Sequence, residues 1–322
     1  MNHRPVVCIV ALALVLAGCA TSGEEAGKTE PGKSGASQGN PEEVENEAAQ
    51  ETARPLEPWV EKRVSKAKKR LTESKPGKIV WKCIEAHGGL ANWYRNGPLF
   101  FHYNYQPVSG RTPRNTYQTI DTWSARARHE MASNRDREYG WDGERAWYAP
   151  PDWEPPYDVK FWALTPYYFV GMPFVLADPG LTLSYQGQDD IEGTLYDVVR
   201  VTFGHVGISP DDFYVLYIEP KSHRLGALRY IVSYPKYFPE GGHSPEKLMT
   251  YDGAQRIGGI LFAQRYRFYM WDPEKKTDTK KVTDATLDSV EFRPKTPETY
   301  FAIPTNAKMI GNDEETNEDD SQ

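Results

Sequence analysis

The sequence predicts a mainly β domain: one large antiparallel sheet curled into a half-open barrel, with a helix before it and a short helical insertion lying across it. Three observations lead there. About twelve β-patterned runs follow one another, nearly all across short turns. The apolar period changes from helical to alternating beyond Gly88-Gly89. One segment, from Asp158 to Leu176, is apolar almost all round and must bury most of its faces. Consecutive strands with short connections pair with their neighbours in sequence, and a sheet this large curls rather than staying flat.

Ahead of the domain, His3 and Arg4 precede an apolar run from Val6 to Ala17 that ends in Leu16-Ala17-Gly18-Cys19. A basic start, a short hydrophobic core and small residues make a secretory signal, too short for a permanent transmembrane helix. The four residues ending at Cys19 resemble a lipobox, the signature of bacterial lipoproteins. That resemblance implies removal of residues 1–18, a diacylglycerol thioether on Cys19 and an acyl chain on its new amino terminus. Several chains together anchor a protein where one binds only marginally. Ala20, which is not aspartate, implies the outer membrane, facing the periplasm. The plain alternative is an ordinary signal peptide with an incidental cysteine.

Composition divides what remains. Residues 20–57 carry nine acidic groups against Lys28, Lys33 and Arg54, and the end from Asn306 carries six against Lys308. Although the chain has a formal charge of −7, the body keeps 33 basic and 30 acidic residues and is close to neutral. Neither tail buries enough apolar area to offset its ordering, so residues 19–56 are expected as a disordered acidic tether and 306–322 as a disordered tail around a domain at 57–305. A coil of about 37 residues reaches roughly 35 Å, enough for the body to stand clear of headgroups. Of Cys8, Cys19 and Cys83, the first leaves with the signal and the second carries the anchor, so Cys83 has no partner in the chain and belongs on a packed helix face.

The first ordered stretch reads as a helix with Trp59, Val60, Val64 and Leu71 on one side. Lys62, Arg63, Lys66, Lys68, Lys69 and Arg70 form a solvated basic face that an anchor would bring near anionic headgroups. No aromatic platform is interleaved with these charges, and an envelope location removes most nucleic-acid partners. A second helix is expected from Lys78 to His87, stopping at Gly88-Gly89, with His87 as a cation at its end. Strands follow at Leu99 to Tyr105, Tyr117 to Trp123, Ala125 to Met131, Arg137 to Trp141 and Arg145 to Tyr148, with a hairpin at Asp142-Gly143. Later strands run over Leu181 to Gln188, Leu195 to Phe203, Phe213 to Ile218, Leu225 to Tyr234, Lys247 to Tyr251, Ile260 to Trp271 and Val282 to Phe292. Between the two groups, Phe161, Leu164, Tyr168, Met172 and Val175 fall near helical spacing, and Thr165-Pro166 has the order of a helix cap followed by proline. This segment is expected as a short helical lid across the open mouth or the concave face of the curled sheet.

A curled antiparallel sheet with a preceding helix and a helical insertion, on a lipidated tether, resembles the LolA and LolB lipoprotein-transfer proteins and the mycobacterial LppX-type lipid carriers. The likeness is one of architecture and location, over roughly residues 78–302. It implies a half-closed barrel with a helical lid over an apolar cavity. The runs Ala86-His87-Gly88-Gly89, Asp142-Gly143-Glu144-Arg145-Ala146-Trp147, the stretch Met172 to Gly180, and Asp211-Asp212-Phe213-Tyr214-Val215-Leu216-Tyr217 resemble a family of bacterial envelope lipoproteins that brings no assigned activity.

The residues themselves offer aromatic walls more than chemistry. Phe161, Trp162, Leu164, Tyr167, Tyr168, Phe169, Met172 and Phe174, with Trp123, Trp141 and Trp147, are the candidates for a cavity or lid that holds a hydrophobic small molecule or a lipoprotein acyl chain. The simpler role for any one of them is core filling. No catalytic residue, metal ligand or cofactor motif is assigned. The histidines lack ligand spacing, and no Gly-x-Ser-x-Gly elbow, phosphate loop or dinucleotide fingerprint is present. The pairs Asp189-Asp190 and Asp211-Asp212 are expected in turns, capping backbone amides rather than performing hydrolysis. Two other readings stay open: a docking lipoprotein with exposed aromatic surface, and an envelope hydrolase.

Overall fold

A computed structural model describes residues 57–203, 209, 211–277 and 279–310. The signal, Cys19, the tether, His205 and the last residues of the tail lie outside the described residues. Three helices come first: α1 (Pro58–Thr72), α2 (Lys75–Ala86) and α3 (Leu90–Arg95). α2 begins three residues earlier than its apolar spacing suggests, because the Ser74 hydroxyl accepts from the Gly77 amide at 3.1 Å and Pro76 sits in the first turn. It ends where expected, at Gly88 and Gly89 with φ of 116° and 82°. A Cβ on Gly88 would lie 2.3 Å from the Gly259 carbonyl oxygen, so both backbone angle and space require glycine. α3 restarts immediately and plants Trp93 and Tyr94 in the core, an element that the alternation around it hides in the sequence.

Thirteen antiparallel strands form the main sheet. They are β1 (Leu99–Pro107), β2 (Arg114–Ile120), β3 (Ala127–Met131), β4 (Asn134–Trp141), β5 (Ala146–Ala149), β6 (Thr182–Ile191), β7 (Thr194–Thr202), β8 (Phe213–Ile218), β9 (Leu225–Tyr230), β10 (Lys247–Asp252), β13 (Arg265–Met270), β14 (Lys281–Phe292) and β15 (Lys308–Met309). β11 (Gln255–Ile257) and β12 (Ile260–Phe262) make a separate hairpin. The order β15-β5-β4-β3-β2-β1-β14-β13-β10-β9-β8-β7-β6 does not return on itself, so the sheet is an open half-barrel of the kind expected. Two meanders meet at its middle, where β1 pairs with β14 from Leu99 opposite Phe292 to Pro107 opposite Thr283.

This order dictates the crossover. After β5, next to one edge, the chain must reach β6 at the other edge, and a flat sheet would put them about 50 Å apart at ~4.8 Å per strand. Curling shortens the path, and residues 150–181 cross the concave face. The face they cross is read from alternation: Leu99, Phe101, Tyr103 and Tyr105 of β1 are buried inward while Phe100, His102 and Asn104 are only half-buried on the other side.

Several strand boundaries differ from those expected, mostly where a hydrogen bond turns the chain out of the sheet. β2 stops at Ile120 because the Asp121 carboxylate accepts from Ser124 and from Arg126 at 2.9 Å, turning the chain before Trp123. β9 stops at Tyr230 because the Val232 amide donates to the Ser244 hydroxyl and the Ser233 amide to Asp212, at 3.1 and 2.6 Å. The run from Ile260 to Trp271 breaks into β12 and β13 where the Gln264 amide donates to the Asp252 carbonyl. Asp189 and Asp190 lie inside β6 and not in a turn; the hairpin closes on Glu192 and Gly193, with φ of 51° and 79°. At one edge, β15 pairs Lys308 with Tyr148 and Met309 with Trp147. At the other, β6 carries a bulge between Tyr185 and Gly187, and Lys75 of α2 lies 3.5 Å over the Tyr185 ring.

Alanine for glycine in a helix ordinarily stabilises by about 1 kcal/mol. At position 77 a Cβ would fall 1.9 Å from the Leu71 carbonyl oxygen, where α2 turns back on α1. Gly77→Ala is therefore expected to destabilise the fold by about 1–3 kcal/mol, the range for overpacking, and a thermal melt that rises instead would contradict this packing.

Candidate ligand site beneath the helical crossover

The crossover contains α4 (Val159–Trp162), α5 (Thr165–Val170) and a 3-10 turn at Phe174–Ala177. Asp158 caps α4 by accepting from the Phe161 amide at 2.8 Å. Thr165 does not cap α5 as its order with Pro166 suggests; it is the first helical residue, and its hydroxyl donates back to the Phe161 carbonyl at 2.7 Å. Phe161, Trp162, Leu164, Tyr167, Tyr168, Phe169, Met172 and Phe174 are all 4% exposed or less.

These side chains fill the concave face rather than roofing a hollow one. Trp162 meets Tyr105 edge-on at 5.1 Å, and Phe169 sits 5.5 Å from Phe268 and 5.8 Å from Tyr230. Phe174 stacks on Trp93 at 4.6 Å, while Phe161 contacts Tyr234 and Tyr237 at 5.4 and 5.2 Å. His129 of β3 is buried among them; its Nε2 donates to the Ala163 carbonyl at 2.7 Å, and burial pushes its pKa down to about 3, so it stays neutral.

Each end of the crossover carries a held aspartate. At the start, Lys236 lies 3.0 Å from Asp158. At the finish, Arg63 of α1 pairs with Asp178 at 3.0 Å and donates to the Trp123 carbonyl at 2.6 Å, and Arg70 donates to the carbonyls of Ala177 and Asp178. Two of the six basic residues assigned to a solvated face of α1 thus turn inward, leaving Lys62, Lys66, Lys68 and Lys69 exposed. The sequence reading missed Arg63, Arg70, Asp158, Asp178 and Lys236 as position-setting groups. The seven-residue spacing of the two arginines, which puts them on one helix side, was the available signal.

Beside the far end of the crossover a cleft of about 300 Å³ opens. Val170 and Met172 form its inner wall with Leu225, Phe262, Tyr251 and Tyr266, and Glu192, Glu219, Arg224 and Asp252 stand around it. This volume is at the small end for ligand pockets, enough for a headgroup but not for a pair of acyl chains. His87 also lines it and is no helix-terminal cation: burial drives its pKa down to about 4, and its Nδ1 donates to the Cys83 carbonyl at 2.8 Å. Cys83 is buried as expected, and burial pushes its thiol up, away from nucleophilic use.

The three remaining candidates divide. Trp141 faces inward with the core. Trp123 sits in the turn after β2, against Trp59 at 5.3 Å. Trp147 does not line the concave face: it opposes Gly140, which opposes Arg128, and the Arg128 guanidinium lies 5.8 Å from its ring on the convex side. The carboxylate pairs do not converge either. Asp189 pairs with Lys276 at 2.6 Å near the β6–β7 hairpin, whereas Asp212 is buried against Ser233. Among the described residues no three His, Cys, Asp or Glu side chains gather where a metal ion would fit.

No protein-family profile matches the chain, and no curated protein does. Solved structures do. The chain is similar to a LolA superfamily protein from Nitrosomonas europaea, at 12% identity over 71% of this chain and 98% of that chain with a TM-score of 0.47. It is also similar to a candidate outer-membrane lipoprotein-sorting domain from Vibrio parahaemolyticus, at 8% identity over 70% and 95% with a TM-score of 0.45. The lipoprotein LppX of Mycobacterium tuberculosis matches at 14% identity over 50% and 91%, with a TM-score of 0.23. The LolA and LppX types named from architecture thus both recur among the matches, while the fold itself rests on the strand order above.

Two outcomes follow from the site's electrostatics. Burial, the largest cause, raises Asp212 to about 7, with Ser233 pulling the other way. Between the ordinary carboxylate value near ~4 and 7 the folded state binds a proton that the unfolded chain lacks, so this group's contribution to stability falls as pH rises through that window. Asp212→Asn keeps an acceptor for the Ser233 amide and removes the charge. Its melting temperature is expected to exceed wild type by about 3 °C or more at pH 8, and by clearly less at pH 5. Separately, Arg63→Ala should speed amide exchange across residues 161–177 about fivefold, or ~1 kcal/mol, with the sheet's slow amides unchanged. Uniform acceleration would mean that the crossover is not a separable unit.

Proposed function

We propose that this chain is an envelope lipoprotein, lipidated on Cys19 after loss of residues 1–18. It binds an apolar ligand, a lipid or an acyl chain, between the concave sheet and the crossover. The anchor and the 19–56 tether would hold the domain at the periplasmic face of the outer membrane, and its role is binding or carriage without catalysis. One observation supports this reading above the rest: a sheet that does not close keeps its inner face dry with a separate segment whose apolar side chains are all buried.

Energetics then favour exchange over simple opening. Fully burying a large apolar side chain is worth about 1.5–3 kcal/mol, so lifting several such side chains into water is prohibitive. Replacing them with an acyl chain costs little, because each methylene of the incoming chain recovers about 0.8 kcal/mol. The ion pairs at Asp158 and Asp178 are part-exposed and contribute at most about 1 kcal/mol each, so they position the segment without locking it. The docking alternative loses its surface, since Phe161, Tyr168 and Phe174 are 0%, 4% and 1% exposed.

The full chain, extracted from membranes in detergent, is expected to quench in tryptophan fluorescence when lipids brominated along their chains are added, through Trp93 and Trp162. Arg63→Ala should load faster with the same endpoint. Absence of quenching, with no molecule retained in native mass spectrometry, would remove the carrier reading.

A further inference from the structure

The inner wall that a ligand would meet is not plain hydrocarbon. Tyr103 on β1, Tyr230 on β9 and Tyr251 on β10 each present a buried hydroxyl with no hydrogen-bond partner among the described residues, and Tyr103 and Tyr230 are 1% exposed as whole residues. Register brings neighbours alongside: Tyr105 opposes Ala285, which opposes Tyr266, which opposes Tyr251, giving one row across β1, β14, β13 and β10. Tyr266 stands edge-on to both Tyr103 and Tyr251, at 5.7 and 5.5 Å. The phenols are close enough to raise one another's pKa, Tyr103 through Tyr266, Tyr105 and Tyr251, and Tyr230 through Tyr105, Tyr103, Tyr214 and Tyr251. Burial adds the larger push, so all remain protonated donors.

Phenylalanine would line a cavity for bare hydrocarbon at no polar cost, whereas a buried hydroxyl without a partner is a penalty that an acceptor oxygen removes. The groups that act electrostatically on these three hydroxyls are other phenols and the Cys83 thiol. Lys247, 5.9 Å from the Tyr230 ring, donates to the Ser244 hydroxyl and the Pro245 carbonyl. Arg114 lies 4.2 Å over Trp162, and its Nη1 donates to the Thr112 carbonyl while its buried Nε has no partner among the described residues. The acceptor that fits is therefore neutral. Phe169 of the crossover covers Tyr230, and the cleft reaches Tyr251 and Tyr266 from outside. A ligand that displaced the crossover would bring its own atoms onto these hydroxyls.

We propose that Tyr103, Tyr230 and Tyr251 form a polar subsite that receives the ester carbonyls of a diacylglyceryl ligand. This deepens the carrier reading and rests on it: the bound chains are ester-linked, and the tyrosines distinguish them from ether-linked chains of the same length. The test compares brominated dioleoylglycerol with its dialkyl-ether counterpart on the full-length chain. An S-diacylglyceryl peptide and its ether form make a second arm, which separates a glycerolipid from a lipoprotein as the source.

Wild type is expected to bind the ester about tenfold more tightly in at least one arm, the discrimination one or two hydrogen bonds supply. Tyr103→Phe, Tyr230→Phe and Tyr251→Phe combined should bring ester and ether within about twofold, with a retained cooperative thermal melt certifying the fold. Equal affinities in wild type would overturn the subsite while leaving the carrier reading intact. A preference that survives the triple substitution would overturn its assignment to these tyrosines. Failure of both lipids to bind in either arm would remove the carrier reading and the subsite together.

Discussion

The burial of residues 158–178 against the concave sheet is the interaction on which the rest of this structure depends. An open half-barrel has an apolar inner face with no second sheet to cover it, and strand order forces the chain from β5 to β6 across that face. Topology and hydrophobicity therefore make the same demand. Phe161, Trp162, Phe169 and Phe174 answer it from the crossover, and Trp93, Tyr105, Tyr230 and Phe268 receive them. Polar contacts at Asp158 and Asp178 fix where the segment begins and ends, but apolar burial seats it.

That division of labour gives the proposed carrier a physical basis. A segment held mostly by non-directional burial is replaceable by any group of similar apolarity, whereas one held by a buried polar network is not. What specificity the wall has must come from its few polar atoms. The tyrosine hydroxyls provide it on the sheet side, and the cleft beside Met172 places charged groups at the rim, so apolar and polar recognition occupy different depths.

Much of the architecture was legible because it rests on period and punctuation. The alternation of β1, the hairpin at Asp142-Gly143 and the stop at Gly88-Gly89 follow from rules that act within a few residues. The misplaced ends share a different cause. Asp121, Asp212 and Ser244 end strands with hydrogen bonds, and Asp212 and Ser244 reach backbone 12 to 21 residues away. Local pattern carries no trace of such pairings. At the site, the apolar segment was visible as a whole, but its seat was not. Trp147 reads like Trp141 in sequence, yet one-residue alternation sends it to the convex face beside Arg128. His87 reads as a solvated cation until the β11–β12 hairpin is seen to bury it, with the Leu261 amide donating to its carbonyl.

The two ends of the sheet bear on assembly. An unclosed sheet presents two rows of unpaired backbone groups, each a template for another strand. Here one row meets the two-residue β15, too short to propagate pairing, and the other follows a strand bent by its bulge at Gly187 and flanked by α2 through Lys75 and Tyr185. Both edges are blunted, so growth by strand addition is disfavoured in either direction. A sheet can stay open only if its rims resist pairing with another strand, and here a short strand guards one rim and a bulge with a flanking helix guards the other.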